Sequence, residues 1–215
     1  MPNRHAKQKD LFGPAAVPGL SFFDECLSAA EERALIARID GLALAPFRFQ
    51  GWLGKRLTLA FGWSYDFDHG ALALAEPIPD WLLPLRDRAA GLTGQAPETL
   101  AQALLLRYDP GAGIGWHRDR PAFGTVIGVS LGAPAVLRFR RRREEGFQRA
   151  ALDLPPRSLY HLAGEIRRDW EHSIAPMAQT RWSITFRTLA DPSNASARHE
   201  KAGSGEGSRA RRTGD

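Results

Sequence analysis

Apolar residues recur in two ways along this chain, and the change falls near residue 100. Ahead of it, SFFDECLSAAEERALIARIDG, residues 21–41, reads as a helix with Leu35, Ile36 and Ile39 on one face. Ser28 can cap the free N–H groups, Glu31 stands where a capping box needs it, and Gly41 can end the helix. A second helix is expected from Trp81 to Ala90 with Asp80 as its cap, Pro84 disturbing the first turn. From Leu100 the runs are short and β-like: LLLRYDPG, TVIGVSLG, AVLRFRR, SLYHLAG and RWSITFRT, divided by glycine, proline or charged turns. No helical pattern of useful length lies between them, so a β-sandwich or barrel is expected rather than alternating βαβ units.

The ends read differently. Residues 1–10 are polar and are expected to form a flexible leader, and 190–215 have almost no large apolar side chains with which to offset their ordering entropy. One domain at 11–189 with a disordered tail at 190–215 is the expected organisation, long enough to bury a core without disulfides. Cys26 is the only cysteine, which points to a reducing, cytoplasmic setting. No stretch approaches the roughly 18–20 continuous apolar residues of a membrane span, and nothing demands more than a monomer.

The formal net charge of +5 favours polyanionic partners. RFRRRREEGFQR, residues 138–149, concentrates it: six arginines stand against Glu144 and Glu145. The plainest reading of that run is a solvated hairpin tip.

Candidate chemistry begins at GWHRDRP. On a strand, residues two apart share a face, so His117 and Asp119 can offer a nitrogen and a carboxylate oxygen to one ion. A third ligand must come from His5, His69, His161, His172 or His199. Two histidines and one carboxylate would make a facial triad, with positions left on Fe(II) for a cosubstrate and oxygen. In RWSITFR, strict alternation sets Arg181, Ser183, Thr185 and Arg187 on one face and Trp182, Ile184 and Phe186 on the other. Two arginines on a small polar face imply an anionic partner, which a dicarboxylic cosubstrate would supply.

RYDPGAGIGWHRD, VIGVSLGAPAVLRF, EHSI and RWSITFR, in that order from Arg107 to Arg187, resemble the AlkB-like family of Fe(II)- and 2-oxoglutarate-dependent dioxygenases. DLF, PGLSFFDECLSAAEERAL and GKR are similar to its amino-terminal half, extending the likeness over residues 10–189. The resemblance implies an α+β, mainly β fold: a double-stranded β-helix (jelly roll) core with amino-terminal helices packed on one sheet. It implies Fe(II), 2-oxoglutarate and O2, with iron ligands at His117, Asp119 and His172, leaving His161 as a structural residue or pocket wall. It places Arg181 on the distal carboxylate of 2-oxoglutarate with Tyr108, Ser183 among the cosubstrate residues, and Arg187 near the proximal carboxylate and Asp119.

Three positions depart from the family pattern. Leu106 replaces an Asn of many nucleic-acid-repairing members, Ser183 stands where Asn is frequent, and Pro121 stands where some members carry a base-reading carboxylate. Residues 49–67 resemble the family's substrate lid. There Trp52, Lys55, Arg56, Trp63 and Tyr65 interleave cations and aromatics suited to an extruded base and its phosphates, while Phe61 and Phe67 are expected to pack the sheet. The function so implied is oxidative demethylation of N-alkylated bases in DNA or RNA. The alternatives are a protein or small-molecule hydroxylase or demethylase on the same scaffold, and a non-catalytic, metal-bound nucleic-acid binding module.

Overall fold

In the computed structural model, which describes residues 17–49, 52–66 and 70–190, the capping box closes as its spacing requires. Ser28 Oγ accepts from the Glu31 N–H at 3.2 Å and the Glu31 carboxylate accepts from the Ser28 N–H at 2.8 Å, which starts α1 (Ala29–Asp40). The expected leader, the tail from residue 191 on, Phe67, His5, His69, His199 and the side chain of Trp52 lie outside the described residues.

Two helix expectations are corrected. SFF is not helical: it lies in β1 (Leu20–Phe23), and the cap at Ser28 marks the true start. Asp80 does not cap the second helix but opens a 3-10 turn, Asp80–Leu82, after which α2 runs over Leu83–Thr93. Pro84 sits in the first turn of α2, where its missing N–H is no loss.

Strands also begin well before Leu100. β2 (Ala45–Phe49), β3 (Trp52–Phe61), β4 (Trp63–Asp66) and β5 (Ala71–Leu74) precede α2. The five β-like runs become β6 (Gln102–Tyr108), β8 (Phe123–Gly132), β9 (Ala135–Arg142), β11 (Leu159–Leu162) and β13 (Arg181–Leu189). Among them lie β7 (Ile114–His117), β10 (Phe147–Leu154), a short α3 (Gly164–Arg168) and β12 (Glu171–Ile174).

Among the described residues every pairing is antiparallel, and the strands form a seven-stranded sheet β1-β11-β8-β13-β6-β3-β2, a four-stranded sheet β10-β9-β12-β7 and a β4-β5 ribbon. Two facing sheets with these crossovers are the double-stranded β-helix that the resemblance implied. The larger sheet is buried on both sides. Ile39 of α1 and Leu85 and Ala89 of α2 pack on Leu105, Ile127, Ile184 and Phe186, whereas Val126, Leu137, Phe139, Leu152 and Tyr160 fill the space between the sheets. Each fully buried side chain such as Ile184 or Phe186 contributes about 1.5–3 kcal/mol.

The alternation of β13 follows from this layering: Trp182, Ile184 and Phe186 turn to the helices, and Arg181, Ser183, Thr185 and Arg187 turn inward. Gly128 lies opposite Tyr160 on β11, and a Cβ there would fall 2.2 Å from the Tyr160 ring, so only glycine lets that ring cross the strand. Among the described residues no helix is long and apolar enough to cross a membrane.

Candidate metal centre and its pocket

Pairing of β12 with β7 sets His172 directly opposite His117, with ring centroids 4.3 Å apart. With Asp119 they offer ligand atoms that all lie within 4.8 Å of one another. Two imidazoles and one carboxylate so gathered can hold a divalent ion such as Fe(II) and leave positions open. His117 Nδ1 lies 2.9 Å from the Gly115 carbonyl, so a proton on Nδ1 donates there and Nε2 keeps its lone pair for a metal.

Burial favours the neutral imidazoles. It lowers His172, with the neighbouring His117 adding to the effect, to about 3, and lowers His117 as well. Burial alone would raise Asp119, but the guanidinium of Arg187 beside it holds its carboxyl well below the usual range. The three groups are therefore deprotonated at neutral pH, as metal ligation requires.

The expectation that His117 and Asp119 share a strand is not met: β7 ends at His117, and Asp119 lies in the loop beyond. Arg167, which no motif in the sequence marks, holds that loop. From α3 its Nη1 donates to the Asp119 carbonyl at 3.2 Å, and its Nη2 to the carbonyls of Arg120 at 2.8 Å and Phe123 at 2.6 Å. Because α3 runs almost directly into β12, one buried guanidinium ties the Asp119 loop to the segment that carries His172. Arg167→Met is expected to lower Fe(II) affinity about 10- to 100-fold, the range for lost outer-shell support. Iron retained after dialysis against graded chelator measures this, and unchanged retention would show that the loop keeps its place unaided.

Two arginines of β13 complete the interior. Arg187 Nη2 donates to Asp119 Oδ1 at 3.1 Å and Nη1 to Gln102 Oε1 at 2.8 Å. Arg181 is only 1% exposed; its Nη2 donates to Ser130 Oγ at 3.2 Å, while Nε and Nη1 have no partner among the described residues. Tyr108 pairs with Arg181 across the sheet and its ring centroid lies 5.3 Å from the guanidinium carbon. A guanidinium so placed requires an anion, and a carboxylate that accepts two N–H bonds fits it. Ser183 is buried on the same face. So is Tyr160, whose phenol burial pushes up to about 12 against the pull of Arg181.

Ser130, Leu131 and Gly132, which close β8, each answer a local packing demand. Ser130 accepts from Arg181, Leu131 is wholly buried, and Gly132 takes φ 75° with the Trp182 ring where a Cβ would stand 2.7 Å from it. Leu106 borders the cavity and offers it no polar group, and Pro121 lies exposed beyond Asp119.

The centre opens on a cavity of about 1260 Å³. Lys55, Arg56 and Tyr65 border it; Trp63 does not, and its carbonyl is taken by Gln102 Nε2 at 2.6 Å. Arg56 lies deeper than a surface phosphate grip. Its guanidinium stacks 3.8 Å over the Phe47 ring, and its buried Nε has no partner among the described residues. Burial lowers its pKa, while Tyr108, Arg187 and Asp119 are near enough to act on it. His161 shares a face of β11 with Leu159 of the helix-side core and does not border the cavity, so it is not a pocket wall.

The 2OG-Fe(II) oxygenase superfamily model matches residues 54–201. The chain is 28% identical over 176 residues to the tRNA (carboxymethyluridine(34)-5-O)-methyltransferase alkbh8 of Xenopus tropicalis, covering 78% of this chain and 27% of that one. It is 31% identical over 152 residues to the alpha-ketoglutarate-dependent dioxygenase AlkB of Salmonella typhimurium, covering 61% and 69%. It spans about a quarter to a half of the length of the alkbh8-type relatives. The solved structure of OsALKBH1 shares the fold at TM-score 0.63 and 15% identity, over 81% of this chain and 98% of that one. The triad and the buried arginine lie within the matched residues, and the chain belongs to the 2OG-Fe(II) oxygenase superfamily, as an AlkB-like member.

Proposed function

We propose that this chain is an Fe(II)- and 2-oxoglutarate-dependent dioxygenase that removes alkyl groups from base nitrogens of DNA or RNA. The carrying observation is Arg181, a wholly buried guanidinium with two nitrogens in want of an anion, on the same face of β13 as Arg187. In this reading His117, Asp119 and His172 hold Fe(II). Arg181 takes the distal carboxylate of 2-oxoglutarate with Tyr108 and Ser183 beside it, and Arg187 steadies Asp119 near the proximal end.

Bound Fe(II) and 2-oxoglutarate supply oxygen activation, in which O2 is divided between succinate, formed with loss of CO2, and a C–H bond of the substrate. The chain supplies orientation and a dry, cationic interior. Gly115 fixes the His117 tautomer, Arg167 fixes the loop, and Arg187 keeps Asp119 ionised. An N-methyl carbon hydroxylated in this way leaves as formaldehyde: its hydroxyl gives up a proton as the C–N bond breaks, and the electrons of that bond return to the base nitrogen.

Nucleic acid is favoured by the cavity rim, where Lys55, Arg118 and Arg120 stand with Tyr65 and Trp116. A volume above the roughly 300–1,000 Å³ usual for small-molecule pockets suits an extruded nucleotide. The names of two relatives, which refer to a tRNA nucleoside and to alkylated DNA repair, point the same way. The same reading has the chain act as a cytoplasmic monomer, to which its one buried cysteine is suited.

The test is to load the protein anaerobically with Fe(II), add 2-oxoglutarate and O2, and measure succinate and formaldehyde. Single-stranded DNA and RNA bearing 1-methyladenine or 3-methylcytosine serve as substrates. Formaldehyde matched by succinate with one oligonucleotide is the expected result. Succinate formed equally with every nucleic acid and without formaldehyde would leave a hydroxylase of another substrate class; no succinate at all would leave a binding module.

A further inference from the structure

The arginine-rich run at 138–149 takes no part in the chemistry above, and the fold sorts its members by face. Arg141 points inward, where it is bound to Glu165 at 2.6 Å and to Gln148 at 2.9 Å and stacks 4.9 Å from the Trp170 centroid. Arg143, in the turn, donates to Gln148. Arg138, Arg140 and Arg142 alternate onto the outer face of β9, and the register sets Phe147 opposite Arg142 and Arg149 opposite Arg140. Arg140 is held by Glu171. Arg138, Arg142 and Arg149 are exposed, and among the described residues none has a carboxylate partner.

Aromatic rings are set among these cations. Trp116, on β7, has Arg140 4.5 Å and Arg138 5.3 Å from its ring centroid; Phe147 has Arg140, Arg142 and Arg149 at 4.7, 5.5 and 5.8 Å. From β7 to β10 the sheet spans three strand steps of about 4.8 Å, giving a stripe about 14 Å long. One end of it meets the active cavity, since Trp116 and Arg138 also border that cavity and Trp116 precedes the ligand His117. A solvated sheet face needs cations, but it does not need aromatic rings embedded in them or continuity with a catalytic mouth. Guanidinium forks for phosphates with flat rings for bases are the two elements of a single-strand binding track.

We propose that the outer face of the four-stranded sheet, carried by Arg138, Arg142 and Arg149 with Trp116 and Phe147, is a track for single-stranded nucleic acid that leads into the cavity. The track rests on the nucleic-acid reading of the site. Its test uses unmodified strands, so that failure of the demethylation chemistry would leave it standing and failure of the track would leave the chemistry standing.

Binding of the full chain to a labelled single strand of about 15 nucleotides, within the site sizes such proteins cover, is measured by anisotropy across a salt series. Arg142→Gln/Arg149→Gln is compared with Arg33→Gln/Arg38→Gln, which makes the same change of charge on the exposed face of α1. Loss of two phosphate contacts is expected to flatten the log–log salt slope by about 1.4 and to weaken binding about 20-fold near 0.1 M salt. The α1 pair should do neither. Phe147→Leu should weaken binding at least about 5-fold with the salt slope unchanged, since it removes stacking and no charge. Succinate formed without any oligonucleotide should be the same in all variants. Equal losses in both arginine pairs, or no loss in either, would overturn the track. Competition by polyglutamate as effective as by the oligonucleotide would also overturn it, by making the face a reader of acidic polypeptide.

Discussion

Asp119→Ala is expected to abolish iron retention and 2-oxoglutarate turnover and, in addition, to destabilise the metal-free protein by about 3–5 kcal/mol. The second effect distinguishes Asp119 from an ordinary ligand. Its side chain is 10% exposed and its Oδ1 accepts from Arg187, itself 11% exposed, so removal leaves a buried guanidinium whose one remaining hydrogen-bond partner among the described residues is Gln102. His172→Ala provides the contrast. It should lose iron as completely, but His172 is neutral in the folded protein, so its loss uncovers no charge and the apoprotein should unfold closer to the parent. Iron content after loading and urea unfolding of the stripped proteins separate the two. Full turnover in Asp119→Ala would move the metal site elsewhere; equal stabilities of the two variants would show that Arg187 does not depend on the pair.

Arg181→Met should behave in the opposite way, with function lost and the fold kept. Truncating one side of a buried charge pair costs about 2–5 kcal/mol of binding, which corresponds to a 30- to several-thousand-fold weaker hold on 2-oxoglutarate. Yet the metal-free variant should lie within about 1 kcal/mol of the parent or above it. It gives up one hydrogen bond to Ser130 and a stacking contact with Tyr108, and is relieved of a buried cation with two unsatisfied nitrogens. Thermal unfolding with and without 2-oxoglutarate and a divalent ion reads both. The parent should gain stability on loading and the variant should not. Strong destabilisation of the unloaded variant, with an unchanged response to 2-oxoglutarate, would mean that Arg181 is a structural residue.

What the sequence shows of this molecule divides by the range of the interaction. The α1 cap was legible because Ser28 and Glu31 satisfy each other within three residues. The face of β13 was legible because strict alternation is a local signal, and a sheet covered on both sides keeps it. The triad was legible through the order of motifs, although the carboxylate reaches the histidines from a loop and not from the strand. Arg167 left no mark because it binds backbone carbonyls, which have no sequence signature. The early strands were hidden for a related reason. β2 and β3 gain much of their order by extending a sheet whose central strands come later in the chain, and Lys55 and Arg56 interrupt their apolar pattern. Trp63 and Tyr65, two residues apart on β4, looked equivalent, but only Tyr65 borders the cavity.

The buried site carries the guanidiniums of Arg56, Arg167, Arg181 and Arg187, against which stands the carboxylate of Asp119. A lone dication entering this interior meets repulsion from every arginine near Asp119, whereas a dicarboxylate meets attraction. Taken together the two bring no net charge, so each raises the affinity of the other by the same factor. Charge parity thus makes the interior a paired receptacle, best filled by the ion and the dianion together, and any small dicarboxylate in the surrounding medium competes for the same place.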